Sequence, residues 1–178
     1  WRAGEYMGKE VPEGYQPVAV QPVPVATEPA PTAKVWALVV GVASYDHMPV
    51  LRYTDDDAYR FYAFLKSLEG GALPDEQVRV LIDEDATRDN ILGNLTELFG
   101  QAGPNDLVIF YFSGHGLNGS FLPFDFDGFN NKIAHEEIAA LFNKTKAKYK
   151  LCIADACHSG SILAVRSGEP EPVLNQYY

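Results

Sequence analysis

The sequence predicts an α/β domain in which a mainly parallel β-sheet lies between layers of helices. From Lys34 onward, apolar runs alternate with amphipathic stretches, which is typical of such layered folds. The run Leu107–Phe112 is hydrophobic at every position, as expected for a strand that is buried on both faces. Polar residues and glycines follow two of the runs directly, at the strand ends where functional groups collect in parallel sheets.

Four apolar runs are predicted to be strands, because each is short and is bounded by polar or turn-forming residues. The predicted strands are Val35–Ala43, Gln77–Ile82, Leu107–Phe112 and Tyr149–Ala154. The first of them is the longest apolar run, and it is far shorter than the roughly 20 residues that a membrane-spanning helix needs. We therefore expect no transmembrane helix.

The intervening stretches are predicted to be helices, because apolar residues recur in them at spacings of three and four. The predicted helices are Thr54–Leu68, Thr87–Gln101 and His135–Lys146. Their apolar faces are formed by Ala58, Phe61, Tyr62 and Leu65, by Ile91, Leu95 and Leu98, and by Ile138, Leu141 and Phe142. Thr87 is a suitable N-cap for the second helix, and Gly103 with Pro104 follows its end.

The chain is predicted to divide into a connector, residues 1–33, and a folded domain, residues 34–178. Half of the 12 prolines lie in the first segment, at positions 12, 17, 22, 24, 29 and 31. Proline fixes φ and lacks a backbone N–H, so we expect an extended, partly polyproline-like tether. Its valines would also allow part of it to lie along the domain as an added edge strand.

The net charge of the chain argues against two classes of binding partner. The chain has 14 lysines and arginines against 24 acidic residues, a net charge of −10, which disfavours binding to nucleic acid or to an anionic membrane. A basic partner or substrate is favoured instead.

The cysteine content leaves the compartment open. Two cysteines are too few for the disulfide framework of a small secreted domain, so the protein could be cytoplasmic, periplasmic or secreted. Cys152 lies in an apolar run and is expected to be a buried, inert thiol.

Two glycine-flanked motifs follow the third and fourth predicted strands. They are Ser113-Gly114-His115-Gly116 and Asp155-Ala156-Cys157-His158-Ser159-Gly160. If these strands are neighbours, the His115 imidazole and the Cys157 thiol lie at the same edge of the sheet. An imidazole can take the proton of a thiol, and a thiolate is the attacking species in acyl transfer. The amides of Gly116 and Cys157 are candidate donors to the oxyanion of a tetrahedral intermediate.

These motifs resemble the histidine and cysteine motifs of the caspase-like cysteine peptidases, most closely those of the metacaspases and bacterial orthocaspases. The opening Ala37–Val42 and the segments Leu51–Tyr53 and Asp57–Ala58 are similar to the same large-subunit pattern. The resemblance covers about residues 34 to 165. It implies the three-layer caspase-like sandwich and a hydrolase that cleaves proteins or peptides.

The resemblance also implies a role for each motif residue. His115 would act as general base and acid, and Cys157 as nucleophile, with no third carboxylate. Asp57, Ser113 and Asp155 would line a pocket for an Arg or, less strongly, a Lys side chain on the acyl side of the scissile bond. Independently of any family, two carboxylates beside a nucleophile would pair well with a guanidinium in a partly dry site.

The pocket assignment has an alternative. Asp55, Asp56 and Asp57 would equally suit the first turn of a helix, where the helix dipole favours acidic residues. We prefer that interpretation for Asp55 and Asp56.

The resemblance also implies a further, smaller portion of the domain, which we expect to be missing from this sequence or separate from it. A caspase-like domain continues after the nucleophile through further strands, whereas the sequence ends at Tyr178, so a small-subunit portion is an expected partner. Arg166 lies among Ser, Gly and Pro residues typical of an exposed loop, and it is the candidate site of self-cleavage.

No redox or nucleotide cofactor is expected, and calcium is an option because metacaspase relatives often need it. The acidic stretches 83–85 and 125–127 could supply the oxygen ligands that calcium prefers, but neither forms a twelve-residue calcium loop. Ordinary surface acids are the favoured interpretation of both.

Three alternative functions remain open from the sequence. The dyad could serve a peptidase of other specificity, similar to legumain or the gingipains. The domain could be a noncatalytic caspase-like scaffold that regulates a partner. A receiver-type signalling module is the third, but it would need acidic residues where the third strand runs into Ser113–Gly116.

Overall fold

The computed structural model describes residues 32–156. Its strands and helices are, in chain order, β1 (Val35–Gly41), α1 (Thr54–Lys66), β2 (Val78–Ile82), α2 (Arg88–Gln101), β3 (Leu107–Gly114), β4 (Gly116–Leu117), β5 (Ser120–Phe121), β6 (Ile133–Ala134), α3 (His135–Lys144) and β7 (Tyr149–Ala156). A short 3-10 turn, Asp83–Asp85, follows β2. The predicted connector lies outside the described residues, apart from positions 32 and 33.

Within residues 32–156, four parallel strands form the main sheet in the order β2-β1-β3-β7. Side chains alternate between its two faces, as the pleat requires. Ala37 and Val39 of β1 pack with Ala58 and Leu65 of α1 on one face. The opposite face packs against α2 and α3, whose buried residues there are Ile91, Leu95, Leu98, Phe99, Ile138 and Phe142. The predicted α/β sandwich, with a mainly parallel sheet between helices, is confirmed.

The ends of several predicted elements were wrong by two residues. The strands β3 and β7 continue to Gly114 and Ala156, because their last residues still pair with each other. Strand β1 ends at Gly41, where a Cβ would lie 2.6 Å from Ala58 Cβ in α1, so the chain crosses the start of that helix at close range. The helices α1 and α3 end at Lys66 and Lys144, two residues earlier than predicted.

Thr87 caps α2 as predicted, since its side chain accepts a hydrogen bond from the Asn90 amide. The start of α1 is held differently. Thr54 Oγ1 donates to the Val42 carbonyl oxygen at 2.8 Å, which ties the helix to the end of β1. This contact positions α1 beside the carboxyl ends of the strands.

A small antiparallel sheet, β4-β5-β6, was not predicted. Each of its strands has two residues, which is too short for a period in the sequence to be recognised. Strands β4 and β5 form a hairpin immediately after His115, with Gly116 opposite Phe121 and Leu117 opposite Ser120. Within residues 32–156, no helix has both the length and the apolar content needed to cross a bilayer.

Candidate active site

The two motifs meet at the carboxyl end of the main sheet. Ser113 of β3 is the register partner of Asp155 of β7, and Gly114 is the partner of Ala156. The described part of the chain thus ends with Ala156, the residue before Cys157, opposite Gly114, the residue before His115. The predicted adjacency of the two motifs is confirmed as far as the described residues extend. Cys157 and Arg166 lie outside them.

Ser113 and Asp155 are strand residues, although both were predicted to follow the strands. The change matters because a strand fixes the direction of a side chain. Tyr111 and Ile153 belong to the α1 side of the core, so Ser113 and Asp155, two positions further along, point to that same face. Strand pairing therefore sets both side chains beside α1, which carries Asp57.

His115 is held at two atoms by the loop that follows β1. Its backbone N–H donates to the Tyr45 hydroxyl at 2.8 Å, and its ring Nε2 lies 2.8 Å from the Pro49 carbonyl oxygen. A carbonyl can only accept, so Nε2 must carry the proton in this contact. The neutral ring then has an unprotonated Nδ1, which can accept a proton from a neighbouring group.

The loop that carries Tyr45 and Pro49 is itself fixed by Asp83. Its carboxylate accepts from the amides of Ala43 and Ser44 at 2.8 and 2.9 Å. The Leu51 amide closes the loop by donating to the Ala43 carbonyl at 2.9 Å. Asp83 was expected to be an ordinary surface acid, and this was wrong because the turn after β2 brings its side chain under the loop.

The second acidic stretch also has structural contacts. Asp125 accepts from the Arg88 amide at 2.8 Å, at the first residue of α2, where four backbone N–H groups lack helical partners. Asp127 accepts from the amides of Phe129 and Asn130, and with the Asn130 side chain these hydrogen bonds lower the pKa of Asp127 to about 2. Among residues 32–156, no group of three His, Cys, Asp or Glu side chains is placed to hold a metal ion.

Acidic and hydroxyl groups gather on the α1 face beside Asp155. Burial raises the pKa of Tyr111, the Ser113 hydroxyl lowers it, and the charges of Asp57 and Asp155 raise it further, so all three groups lie within electrostatic reach of this phenol. Tyr111 is stacked on Phe61 with ring centroids 4.8 Å apart. Tyr111 could not be singled out from the sequence as a site residue, because a tyrosine in an apolar run has the pattern of any core residue.

Ser113 is fully buried, and its Oγ has no hydrogen-bond partner of normal geometry in the described part of the chain. Buried hydroxyl groups are nearly always satisfied, and the Tyr111 hydroxyl, whose pKa Ser113 lowers, is a group within reach of it. Asp57 is less isolated, because Arg60 Nη1 lies 3.3 Å from its Oδ1 one helical turn along α1. Both side chains of that pair are substantially exposed, so the pair is weak.

Gly116 lies at a position where its amide faces away from the hairpin partner. Leu122 N donates to the His115 carbonyl at 3.0 Å, so His115 and Leu122 form a hydrogen-bonded pair. Opposed pairs alternate in an antiparallel ladder, which makes Gly116 and Phe121 a non-hydrogen-bonded pair. The Gly116 N–H is therefore directed outward from the hairpin.

Cys152 is the second thiol of the chain, and its environment is inert. It pairs with Phe110 inside the sheet, and burial raises the pKa of its thiol to about 12. Almost no thiolate forms near neutral pH, which agrees with the expectation of an unreactive core cysteine.

The chain matches known proteins over nearly all of the described region. The profile of the caspase domain family matches residues 34–174. Metacaspase-2 of Trypanosoma brucei brucei is 29% identical over 171 residues, which cover 84% of this chain and 46% of that protein. A probable protease of a Desulfuromonadales bacterium is 28% identical over 167 residues, covering 80% and 20% of the two chains.

A metacaspase-1A of Aspergillus terreus is 30% identical over 153 residues, covering 74% of this chain and 37% of that protein. The chain thus spans less than half the length of these relatives. A crystal structure of a Geobacter sulfurreducens protein aligns with a TM-score of 0.57 at 22% identity, over 72% of this chain and 52% of that one. This structural likeness supports the fold.

Proposed function

This chain belongs to the caspase domain family, as a caspase-like cysteine peptidase of the metacaspase type, and from that membership we propose that Cys157 and His115 form a dyad that hydrolyses peptide bonds after Arg or Lys. The single observation that carries the proposal is the pairing of Gly114 with Ala156, which sets the residues before His115 and Cys157 side by side.

In the proposed reaction, the Cys157 thiol gives its proton to His115 Nδ1, and the sulfur attacks the carbonyl carbon of the scissile bond. The amides of Gly116 and Cys157 stabilise the resulting oxyanion. When the C–N bond breaks, His115 passes the proton to the leaving amine and a thioester remains. Water then attacks the thioester with His115 as base, which releases the acid and restores the thiol.

The contact between His115 Nε2 and Pro49 supports this assignment of the two ring nitrogens. The Pro49 carbonyl oxygen holds the Nε2–H at 2.8 Å, so Nδ1 is the nitrogen left to exchange a proton. The carbonyl also stabilises the imidazolium that forms during the reaction, without being able to take its proton. It supplies the orienting group that a triad carboxylate supplies in other hydrolases.

The preference for a basic side chain is supported by the charges on the α1 face. Asp57 and Asp155 both act on Tyr111, and the buried Ser113 hydroxyl acts on the same phenol. A guanidinium has five N–H donors, enough for a bidentate pair with each of two carboxylates and one hydrogen bond to a hydroxyl, whereas the three donors of an ammonium allow only one bond to each group. We therefore propose Arg ahead of Lys. Displacing Arg60 from Asp57 would cost little, since exposed pairs of this kind are weak.

Two further expectations belong to the proposal. Arg166 fits the specificity proposed for the pocket, so we propose the bond after Arg166 as a site of self-cleavage, and a separate small-subunit portion would then be a partner. Intact-mass and peptide mapping of an active preparation tests it, and an uncut bond would contradict it. Calcium is proposed as an optional activator, tested by adding the ion or a chelator.

The test is hydrolysis of four fluorogenic peptides that differ only in the acyl-side residue, Arg, Lys, Asp or Asn. It is run on this chain and on a version continued beyond Tyr178, with calcium or with chelator. Cys157→Ala is expected to abolish cleavage, while the matched variant Cys152→Ala retains it. Asp155→Asn should reduce Arg cleavage more than it alters residual Asn cleavage.

Each outcome separates the proposal from its alternatives. Cleavage after Asn or Asp alone would replace the basic pocket with a legumain-like or other specificity. Cleavage that survives Cys157→Ala would contradict the dyad. If neither version cleaves any peptide, and Cys157 also fails to react with an arginyl chloromethyl ketone, the noncatalytic scaffold is the correct alternative.

A further inference from the structure

The Tyr45 hydroxyl lies inside the hairpin that follows His115, the proposed general base. The hydroxyl accepts from the His115 amide at 2.8 Å and donates to the Leu122 carbonyl at 3.0 Å. These two groups belong to residues that are opposed across the base of the hairpin. The Tyr45 hydroxyl therefore links two backbone groups that are about 70 positions further along the chain.

The normal ladder explains what this hydroxyl replaces. In a hydrogen-bonded antiparallel pair, each residue donates to and accepts from the other. Here the Leu122 amide donates directly to the His115 carbonyl, but the reverse bond runs from the His115 amide through the Tyr45 hydroxyl to the Leu122 carbonyl. One of the two ladder bonds is thus direct, and the other is relayed by a side chain.

The site around the hydroxyl is built to accept it. Tyr45 is only 8% exposed, and its ring centroid lies 4.9 Å from that of His115. A Cβ added to Gly114 would lie 2.8 Å from the Tyr45 hydroxyl, so a glycine leaves the space that the hydroxyl needs. Burial raises the pKa of Tyr45, so the phenol keeps its proton and remains able to donate.

Tyr45 and Pro49 belong to one loop, which holds His115 at two atoms. Pro49 binds the imidazole at Nε2, and Tyr45 binds the backbone amide and packs against the ring. Movement of the His115 backbone would rotate or shift the ring relative to the Pro49 carbonyl. The orientation of Nδ1 therefore depends on both contacts.

We propose that Tyr45 is a positioning residue for the peptidase reaction, whose hydroxyl relays a ladder bond and thereby fixes the imidazole of His115. This inference rests on the dyad proposed above. Tyr45 is assigned no contact with substrate, and it exchanges no proton in the reaction. It acts through the position of His115 alone.

The test is Tyr45→Phe in the full chain, or in the version continued beyond Tyr178 if only that version is active. This variant keeps the ring and removes the relay. A misplacement of about 1 Å can cost about 100-fold in rate, so we expect kcat to fall between about tenfold and 100-fold while KM changes less than about twofold. Tyr59→Phe, on the exposed face of α1, is the matched control with unchanged kcat and KM.

A second readout separates positioning from mere loss of stability. The rate of Cys157 alkylation by iodoacetamide is followed against pH, with the modified residue identified by peptide mapping. In Tyr45→Phe that is still folded, we expect the pH profile to move toward that of an unperturbed thiol near 8.5. If Tyr45→Phe does not fold, Gly114→Ala serves instead, because it retains the hydroxyl but displaces it.

The outcomes distinguish this inference from the function on which it rests. If the wild type is reactive and the folded Tyr45→Phe variant has the same kcat and the same alkylation profile, the role of Tyr45 alone is overturned. If replacing His115 changed neither peptide hydrolysis nor Cys157 alkylation, the dyad would be overturned, and the inference with it. Reduced kcat together with a shifted profile supports both.

Discussion

Asp106 is expected to stabilise the end of the sheet opposite the active site. Asp106 is 7% exposed, and its carboxylate accepts from the Lys34 amide at 2.9 Å, the Trp36 indole N–H at 3.0 Å and the Gly103 amide at 2.7 Å. Asp106→Ala would leave the indole and the Gly103 amide unsatisfied. At about 1–3 kcal/mol for each buried unsatisfied group, and with partial access of water, we expect a loss of about 2–4 kcal/mol in the free energy of unfolding.

The same contacts predict a pH dependence. Burial alone would raise the pKa of Asp106, but the hydrogen bonds from Lys34, Gly103 and Trp36 together lower it. A carboxyl whose folded-state pKa lies below its unfolded value of about 3.9 stabilises the fold above that pH. This contribution is lost as the pH falls through the folded-state pKa. Asp106→Asn cannot ionise, so it removes the pH-dependent part while it keeps the shape.

The assay is urea unfolding followed by tryptophan fluorescence, at intervals from pH 7 to pH 3, for the wild type and for both Asp106 variants. We expect Asp106→Asn to be less stable than the wild type at pH 7, and the difference to shrink below about pH 4. Equal unfolding midpoints at pH 7, or a difference that does not change with pH, would refute this account of Asp106.

Three other predictions concern single residues. Arg60→Gln frees Asp57 from a pair worth about 0.3–0.5 kcal/mol, so KM for Arg peptides should fall about twofold with kcat unchanged, and an unaltered KM would exclude competition with substrate. In thermal melts, Gly41→Ala should destabilise by about 1–3 kcal/mol, because its Cβ would lie 2.6 Å from an α1 side chain, whereas Gly93→Ala, which meets open space, should be neutral or stabilising. Cys152 should resist iodoacetamide at pH 7 in the folded chain, and modification at a rate like that of a free thiol would contradict its raised pKa of about 12.

Much of the layered fold can be predicted from the sequence, because burial on both faces leaves continuous apolar runs such as Leu107–Phe112. The buried faces of the helices can also be predicted, and Ile91, Leu95 and Leu98 of the predicted apolar face are all fully buried. The residues at which the strands end are harder to predict. Ser113 is polar, but it still pairs within β3, because backbone pairing does not depend on the side chain.

The candidate site shows a similar division. His115 could be recognised from its glycine neighbours, and its motif could be predicted to lie beside Asp155 because the two strands were expected to be adjacent, as they are. The Pro49 carbonyl could not be found, because it is a backbone group that no side-chain pattern reports. Tyr45 could not be found either, because its contacts to His115 and Leu122 depend on a loop conformation fixed by Asp83.

The position of β7 at the side of the sheet has a consequence for handling the protein. Within residues 32–156, β7 pairs with β3 alone, and Tyr149 and Leu151 on it are 52% and 43% exposed. Where no further strand of the protein covers this edge, it is a template for strands of other molecules, and self-association in concentrated solution is expected to begin there. Lys148 and Lys150 place charge along the same edge, and low ionic strength should lengthen the reach of their repulsion between copies.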